Sequence, residues 1–195
     1  VFVGRFSASN SADLELILSR NMEYEISPLA GDWYQKALGI GSDEGQGFGD
    51  DGEADWQHLR NIRTDLMNYG FTEVFEFYDG TRGGEDASGD PNSTMIKAAV
   101  NAGVTLFNYT GHGSQNSCAT GNFGSTHINQ CVNEGKYPFV VSVACNNGTF
   151  TSGTCLSEQF MLADESGSPT GAISVCGSSI LMSWAPPMAT QDEIV

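Results

Sequence analysis

The sequence predicts an α/β fold: a mostly parallel sheet of six strands with helices on both faces. Three observations lead there. Short apolar runs alternate with segments whose apolar residues recur at helical spacing, the pattern of strand–helix–strand units. The two most apolar runs, 104–109 and 139–144, are continuous, as central strands buried on both sides are. The 195 residues suit one domain with a sizeable core, and they contain no internal repeat.

The elements follow in order. VFVGRF (1–6) reads as the first strand. Residues 11–25 read as a helix capped by Asn10 or Ser11, with Leu14, Ile17, Leu18 and Met22 on one face. ALGIGS (37–42) is the second strand. Residues 54–69 carry Trp56, Leu59, Ile62 and Leu66 at helical spacing and close on Gly70. EVFEFYD (73–79) is the third strand. After a loop rich in Gly and Asp, Ser93 caps a helix that ends near Gly103. VTLFNYT (104–110) is the fourth strand, residues 125–134 a short helix, and YPFVVSVAC (137–145) the fifth strand. Residues 156–165 form a helix, GAISVCGS (171–178) the sixth strand, and a last helix begins near residue 187. Val1 opens directly on a strand and Val195 falls inside a helical pattern. The expectation is therefore a single unit, residues 1–195, cut from a longer chain at both ends.

Composition narrows the function. Twenty-four acidic residues against eight basic ones leave a net charge of −16. That excludes nucleic acid as a partner, because phosphate binding needs a basic surface. Cationic partners fit it, calcium or a basic peptide, and so does a plain solvated surface. The loops 43–53 and 79–92, rich in Gly, Asp and Glu, read as surface loops and candidate metal-binding loops. No stretch of 18 apolar residues exists to span a membrane, and no signal peptide is recognisable. The five cysteines (118, 131, 145, 155 and 176) form no CxxC and no Cys/His cluster at zinc spacing. Their odd number leaves at least one thiol free, either buried and inert or reactive.

Ligands of open parallel sheets bind at the carboxyl ends of the strands. His112 follows the fourth predicted strand on a bare loop, between Gly111 and Gly113. Cys145 closes the fifth and is followed by the turn Asn146-Asn147-Gly148, and Glu44 follows the second. Taken singly, each has a plain structural reading: a core thiol, a loop histidine, a solvated acid. Together they have the composition of a nucleophile, a base and an acid that orients the base. His58 and His127 fall inside predicted helices and read as surface or packing residues.

NYTGHGS (108–114) and VACNNGTF (143–150) resemble the motifs around the histidine and cysteine of the gingipains, secreted cysteine peptidases of caspase-like fold. VGRFS (3–7), FGSTH (123–127), PTGAIS (169–174) and SWAPPMATQDE (183–193) look like segments of the arginine-specific gingipains, in the same order. The resemblance thus covers nearly the whole chain. It implies that Cys145 is the nucleophile, His112 the base and Glu44 the acid that orients it. The N–H groups of Gly113 and Cys145 would form the oxyanion hole. Asp55, eleven residues after Glu44, would be the acid at the floor of an arginine pocket, with Trp184 as its lid and Met188 in its lining. The same fold with lysine or asparagine specificity, and a silent surface-binding module, are the alternatives. A binding module has no need of Cys145, His112, Glu44 and Asp55 together.

The resemblance also implies structural calcium, protein or peptide substrates, an extracellular location, and a remainder of the same chain as partner. Gingipain catalytic regions add a smaller amino-terminal subdomain, further strands and helices, and an immunoglobulin-like domain, to which nothing in this sequence corresponds. Cys118 and Cys131 are not family features. The expectation for them is a mutual disulfide closing a loop of about a dozen residues.

Overall fold

The computed structural model describes residues 4–195. Its centre is a five-stranded parallel sheet in the order β2–β1–β3–β6–β9. These strands are Lys36–Gly41 (β1), Glu73–Tyr78 (β2), Leu106–Thr110 (β3), Phe139–Val143 (β6) and Ser174–Gly177 (β9). Two short antiparallel pairs lie outside it: Ser117–Cys118 (β4) with Phe123–Gly124 (β5), and Asp164–Glu165 (β7) with Ser168–Pro169 (β8). The helices are Ser11–Ile26 (α1), Asp55–Tyr69 (α2), Ser93–Ala102 (α3), Ser125–Ile128 (α4), Leu156–Leu162 (α5) and Ala185–Ile194 (α6).

As the apolar runs imply, β3 is the central strand and β6 lies beside it. Alternation along each strand divides the core in two. Leu38, Ile40, Phe107, Tyr109 and Val140 pack with Ile96, Val100, Ile128, Leu156 and Phe160 of α3, α4 and α5. Ala37, Val74 and Tyr78 pack with Leu59, Ile62 and Leu66 of α2. Helices therefore cover both faces.

The sheet has five strands among the described residues, not the expected six. Residues 1–3 of the predicted first strand lie outside the described residues, and residues 4–6 are in no strand. Arg5 instead pairs with Glu158 of α5 (3.2 Å) and lies over the Phe150 ring, which holds this segment beside the helix.

The predicted inner face of α1 is also corrected. Ile17 is buried, but Leu14, Leu18 and Met22 are exposed. The fully buried partner of Ile17 is Arg20, whose guanidinium donates to the carbonyls of Met161 (2.7 Å), Ala163 (3.0 Å) and Ala172 (3.2 Å). Burial lowers its pKa to about 10. Unpaired buried carbonyls are costly, so satisfying three of them outweighs turning more apolar area inward. Smaller shifts concern the ends of helices. Asn92, not Ser93, caps α3, its Oδ1 accepting from Thr94 (3.1 Å) and Met95 (3.2 Å). Helix α4 stops at Ile128, and beyond it Asn133 ties the chain down, its amide donating to the carbonyls of Lys136 and Gly171 (both 2.8 Å).

The expected Cys118–Cys131 disulfide is absent: both are buried free thiols. The Cys118 sulfur faces the Asn147 side chain (3.8 Å) and that of Cys131 faces the His127 carbonyl (3.5 Å), so the two engage different parts of the core. Burial raises the pKa of both, to about 12 for Cys131. Denatured without reductant, the chain should take up an alkyl group on each of its five cysteines. Mass spectrometry showing three modified cysteines would restore the disulfide.

Candidate active site

Strand register builds the site. Thr110, the last residue of β3, pairs with Val143, the last of β6, and with Gly41 at the end of β1. His112 and Cys145 each lie two residues beyond the Thr110–Val143 pair, and Glu44 lies three beyond Gly41. All three thus leave the same carboxyl edge of the sheet on neighbouring loops.

Tyr109 and Asn147 hold these loops. The Tyr109 hydroxyl donates to the His112 carbonyl (2.5 Å) and accepts from the N–H groups of Ala119 (3.1 Å) and Thr120 (3.3 Å). A Cβ on Gly111 would lie 2.9 Å from that hydroxyl, which is why the residue before the histidine is bare. Asn147 is fully buried. Its amide donates to the carbonyls of Ser114 (2.5 Å) and Ser117 (3.2 Å), and its oxygen accepts from Ser142 (2.7 Å). It therefore ties the loop after His112 to the turn after Cys145. Asn146 between them takes a left-handed conformation (φ 62°), which asparagine tolerates better than most residues. Sequence reasoning saw only a turn here. The signal was two consecutive asparagines directly after the cysteine.

The histidine and the acid meet: His112 Nε2 lies 2.8 Å from Glu44 Oε2, with both side chains about half exposed. Gly113 runs close against the cysteine segment. A Cβ there would sit 2.8 Å from the Ala144 Cβ and 2.9 Å from the Cys145 carbonyl oxygen. The N–H groups of Gly113 and Cys145 have no hydrogen-bond acceptor among the described residues. The Cys145 sulfur is partly buried and faces the backbone of Met182, whose N–H donates to it (3.5 Å).

Asp55, the first residue of α2, is fully buried. Ser42 donates to one of its oxygens (2.6 Å) and the Trp184 indole N–H to the other (2.8 Å). Trp184 in turn stands edge-on to the His112 ring, 5.7 Å between centroids. Asp55, Trp184, His112 and Glu44 thus form one continuous chain of contacts. Met188 is fully buried one turn along α6, its methyl 2.9 Å from where a Cβ of Gly49 would be. Gly45, missed by the sequence reading, makes the closure feasible. It has φ +82°, and a Cβ on it would lie 2.7 Å from Asp55 Oδ1 and 3.0 Å from Trp184 Nε1. Asp55 is thus closed off from solvent beneath Trp184.

Three carboxylates of the loop 79–92 accept hydrogen bonds from the protein. Asp86 accepts from the backbone of Tyr78 and Arg82, Asp90 from Gly80, and Asp79 from Thr120. Among the described residues, one group brings three metal-ligating side chains together: Glu53 at the end of the other acidic loop, His58 and Asp192. His58 is wholly buried, with Nδ1 2.7 Å from Glu53 Oε1 and Nε2 3.1 Å from Gln191 Oε1, and His127 packs on the Phe123 ring.

Residues 1–194 match the model of peptidase family C25. Gingipain R2 and gingipain R1 of Porphyromonas gingivalis are each 40% identical over 198 aligned residues. Those alignments cover all of this chain but 25% and 19% of the relatives, so the chain spans a quarter or less of their length. A crystal structure of the arginine-specific cysteine proteinase gingipain R superimposes with a TM-score of 0.91 at 39% identity, over 99% of this chain and 43% of that one. A complex of pro- and mature domains from P. gingivalis gives the same score over 44% of its chain.

Burial pushes the Asp55 carboxyl above the ordinary aspartate value of 3.8, against the pull of its hydrogen bonds from Ser42 and Trp184. An acid with a raised folded pKa contributes stability below its unfolded value and loses it as pH rises through the folded one. The melting temperature of Asp55→Asn relative to the parent should therefore gain as pH rises from about 4 to neutral. A difference independent of pH would contradict this account of the site.

Proposed function

The chain belongs to peptidase family C25, and on that premise we propose that it is an extracellular cysteine endopeptidase that cuts peptide bonds after arginine. The observation that carries the reading is the contact chain from Glu44 through His112 and Trp184 to Asp55. In this reading it links the acid that orients the base to the acid of a buried pocket. With Nε2 of His112 facing Glu44, Nδ1 is the nitrogen left to take the proton from the Cys145 thiol. The thiolate attacks the scissile carbonyl, and the free N–H groups of Gly113 and Cys145 receive the oxyanion. The imidazolium then protonates the leaving amine, and water, deprotonated by His112, releases the acyl group from sulfur.

Asp55 supports arginine over lysine. Its two oxygens already accept two separate hydrogen bonds, from Ser42 and Trp184. A guanidinium that displaces the indole meets a carboxylate able to accept from its planar fork, and the freed indole face can cover the aliphatic stem. A lysine ammonium offers that carboxylate only a point charge. The difference is worth about 1–3 kcal/mol, or roughly 10–200-fold in kcat/KM. The proposed location rests on the resemblance to secreted peptidases and the acidic surface. No helix among the described residues is long and apolar enough to cross a membrane. The partners in this reading are protein or peptide substrates and the rest of the same chain.

Cys145→Ala should abolish cleavage of arginyl substrates, whereas Cys155→Ala and Cys176→Ala should change mainly stability. Asp55→Asn should lose most arginyl turnover yet still be labelled at Cys145 by a small alkylating agent. Equal turnover of lysyl and arginyl substrates by the parent protein would refute the specificity, and activity in Cys145→Ala would refute the mechanism.

Structural calcium belongs to the proposal, and among the described residues the candidate place for it is beside Glu53 and Asp192. The donor set is short of oxygens there, so backbone carbonyls and water must complete the six to eight that calcium takes. A chelator should lower the melting midpoint. An unchanged midpoint argues against the ion.

A further inference from the structure

Helix α6 turns one stripe inward: Trp184 at its start, Met188 four residues on, and Gln191 three further. The third position of such a stripe normally holds an apolar residue, yet Gln191 is fully buried. Its amide joins three elements. Oε1 accepts from the Thr110 hydroxyl (2.8 Å) at the end of β3 and lies 3.1 Å from His58 Nε2 on α2. Nε2 donates to Asn108 Oδ1 (3.3 Å), also on β3. Thr110, His58 and Asn108 are themselves buried. Two of them lead to the site: Thr110 lies two residues before His112, and His58 one turn after Asp55. A leucine of similar size would bury more readily and satisfy none of these groups. What the amide supplies is one allowed depth and rotation of α6 against the sheet and α2.

We infer that Gln191 is a positioning residue, clamping α6 to α2 and β3 so that the Trp184 indole reaches both Asp55 and the His112 ring. The inference rests on the proposed arginine pocket for its meaning in catalysis, while the placement of Trp184 stands apart from it. Gln191 touches no substrate. It acts through Trp184, two helical turns away.

The test uses the full-length protein labelled with 5-fluorotryptophan, the Trp184 fluorine signal being assigned with Trp184→Phe. Gln191→Leu should remain folded by thermal melt but shift or broaden the Trp184 signal, leaving those of Trp33 and Trp56 in place. KM for arginyl substrates should rise roughly 3- to 30-fold, with little change in the rate of Cys145 alkylation by iodoacetamide. Gln191→Glu, which keeps the acceptor for Thr110 and His58 but loses the donor to Asn108, should restore part of both. A folded Gln191→Leu with an unmoved Trp184 signal overturns the inference, as does an equal loss in kcat/KM, kcat and alkylation rate. If Gln191→Leu does not fold, the fluorine signal of Gln191→Glu decides: a parent-like Trp184 environment is the result expected, a displaced one the result against. Loss of arginine selectivity in the parent protein would instead overturn the proposed function and leave the fluorine result to judge the clamp.

Discussion

The pairing of β3 with β6 is the constraint on which the site depends. Thr110 lies opposite Val143, so the chain leaves both strands at the same level with two residues to spare before His112 and Cys145. A slip by one residue would turn Tyr109 out of the core and carry its hydroxyl away from the His112 carbonyl. The register is set by burial on both sides. Phe107, Tyr109 and Val140 fill one core cluster, while Leu106 faces the other. The apolar interior thus places two polar residues that take no part in it.

The rim of the site is held by buried polar groups, each satisfied by more than one partner. Asn147 binds the loop after His112, Asp55 receives Ser42 and Trp184, and Gln191 joins three elements. Such groups contribute little net stability, since each replaces hydrogen bonds to water. Their value lies in direction. An apolar contact tolerates sliding, whereas a buried amide left without partners costs about 1–3 kcal/mol, so the arrangement that satisfies all of them excludes its neighbours. Asp55 shows the cost side of this design, since desolvation raises its pKa despite two hydrogen bonds.

Much of this was legible in the residues. The alternation of strands and helices, the central place of β3, and the exits carrying Glu44, His112 and Cys145 all follow from local periodicity and turn residues. Periodicity is a property of neighbours in sequence, and so are the helix ends at Gly70 and Gly103. The contact of His112 with Glu44, and of Trp184 with Asp55, joins residues 68 and 129 positions apart. The family resemblance pointed to these residues, but not to the closed state they adopt.

Only the tertiary structure decided the rest. The sequence by itself determined the five strands of the central sheet, most of the helices, and the edge at which Glu44, His112 and Cys145 leave that sheet, because hydrophobic period and glycine placement act over a few residues. It did not determine the face that α1 turns inward, where Arg20 meets three carbonyls contributed by residues more than 140 positions away. Nor did it determine the state of Cys118 and Cys131, whose spacing suits a disulfide but whose sulfurs face different partners. The roles of Tyr109, Asn147, Gly45 and Gln191 were equally hidden. Each satisfies or clears space for a group brought near only by folding, and a polar residue in a sequence carries no mark of the distant partner that will complete its hydrogen bonds.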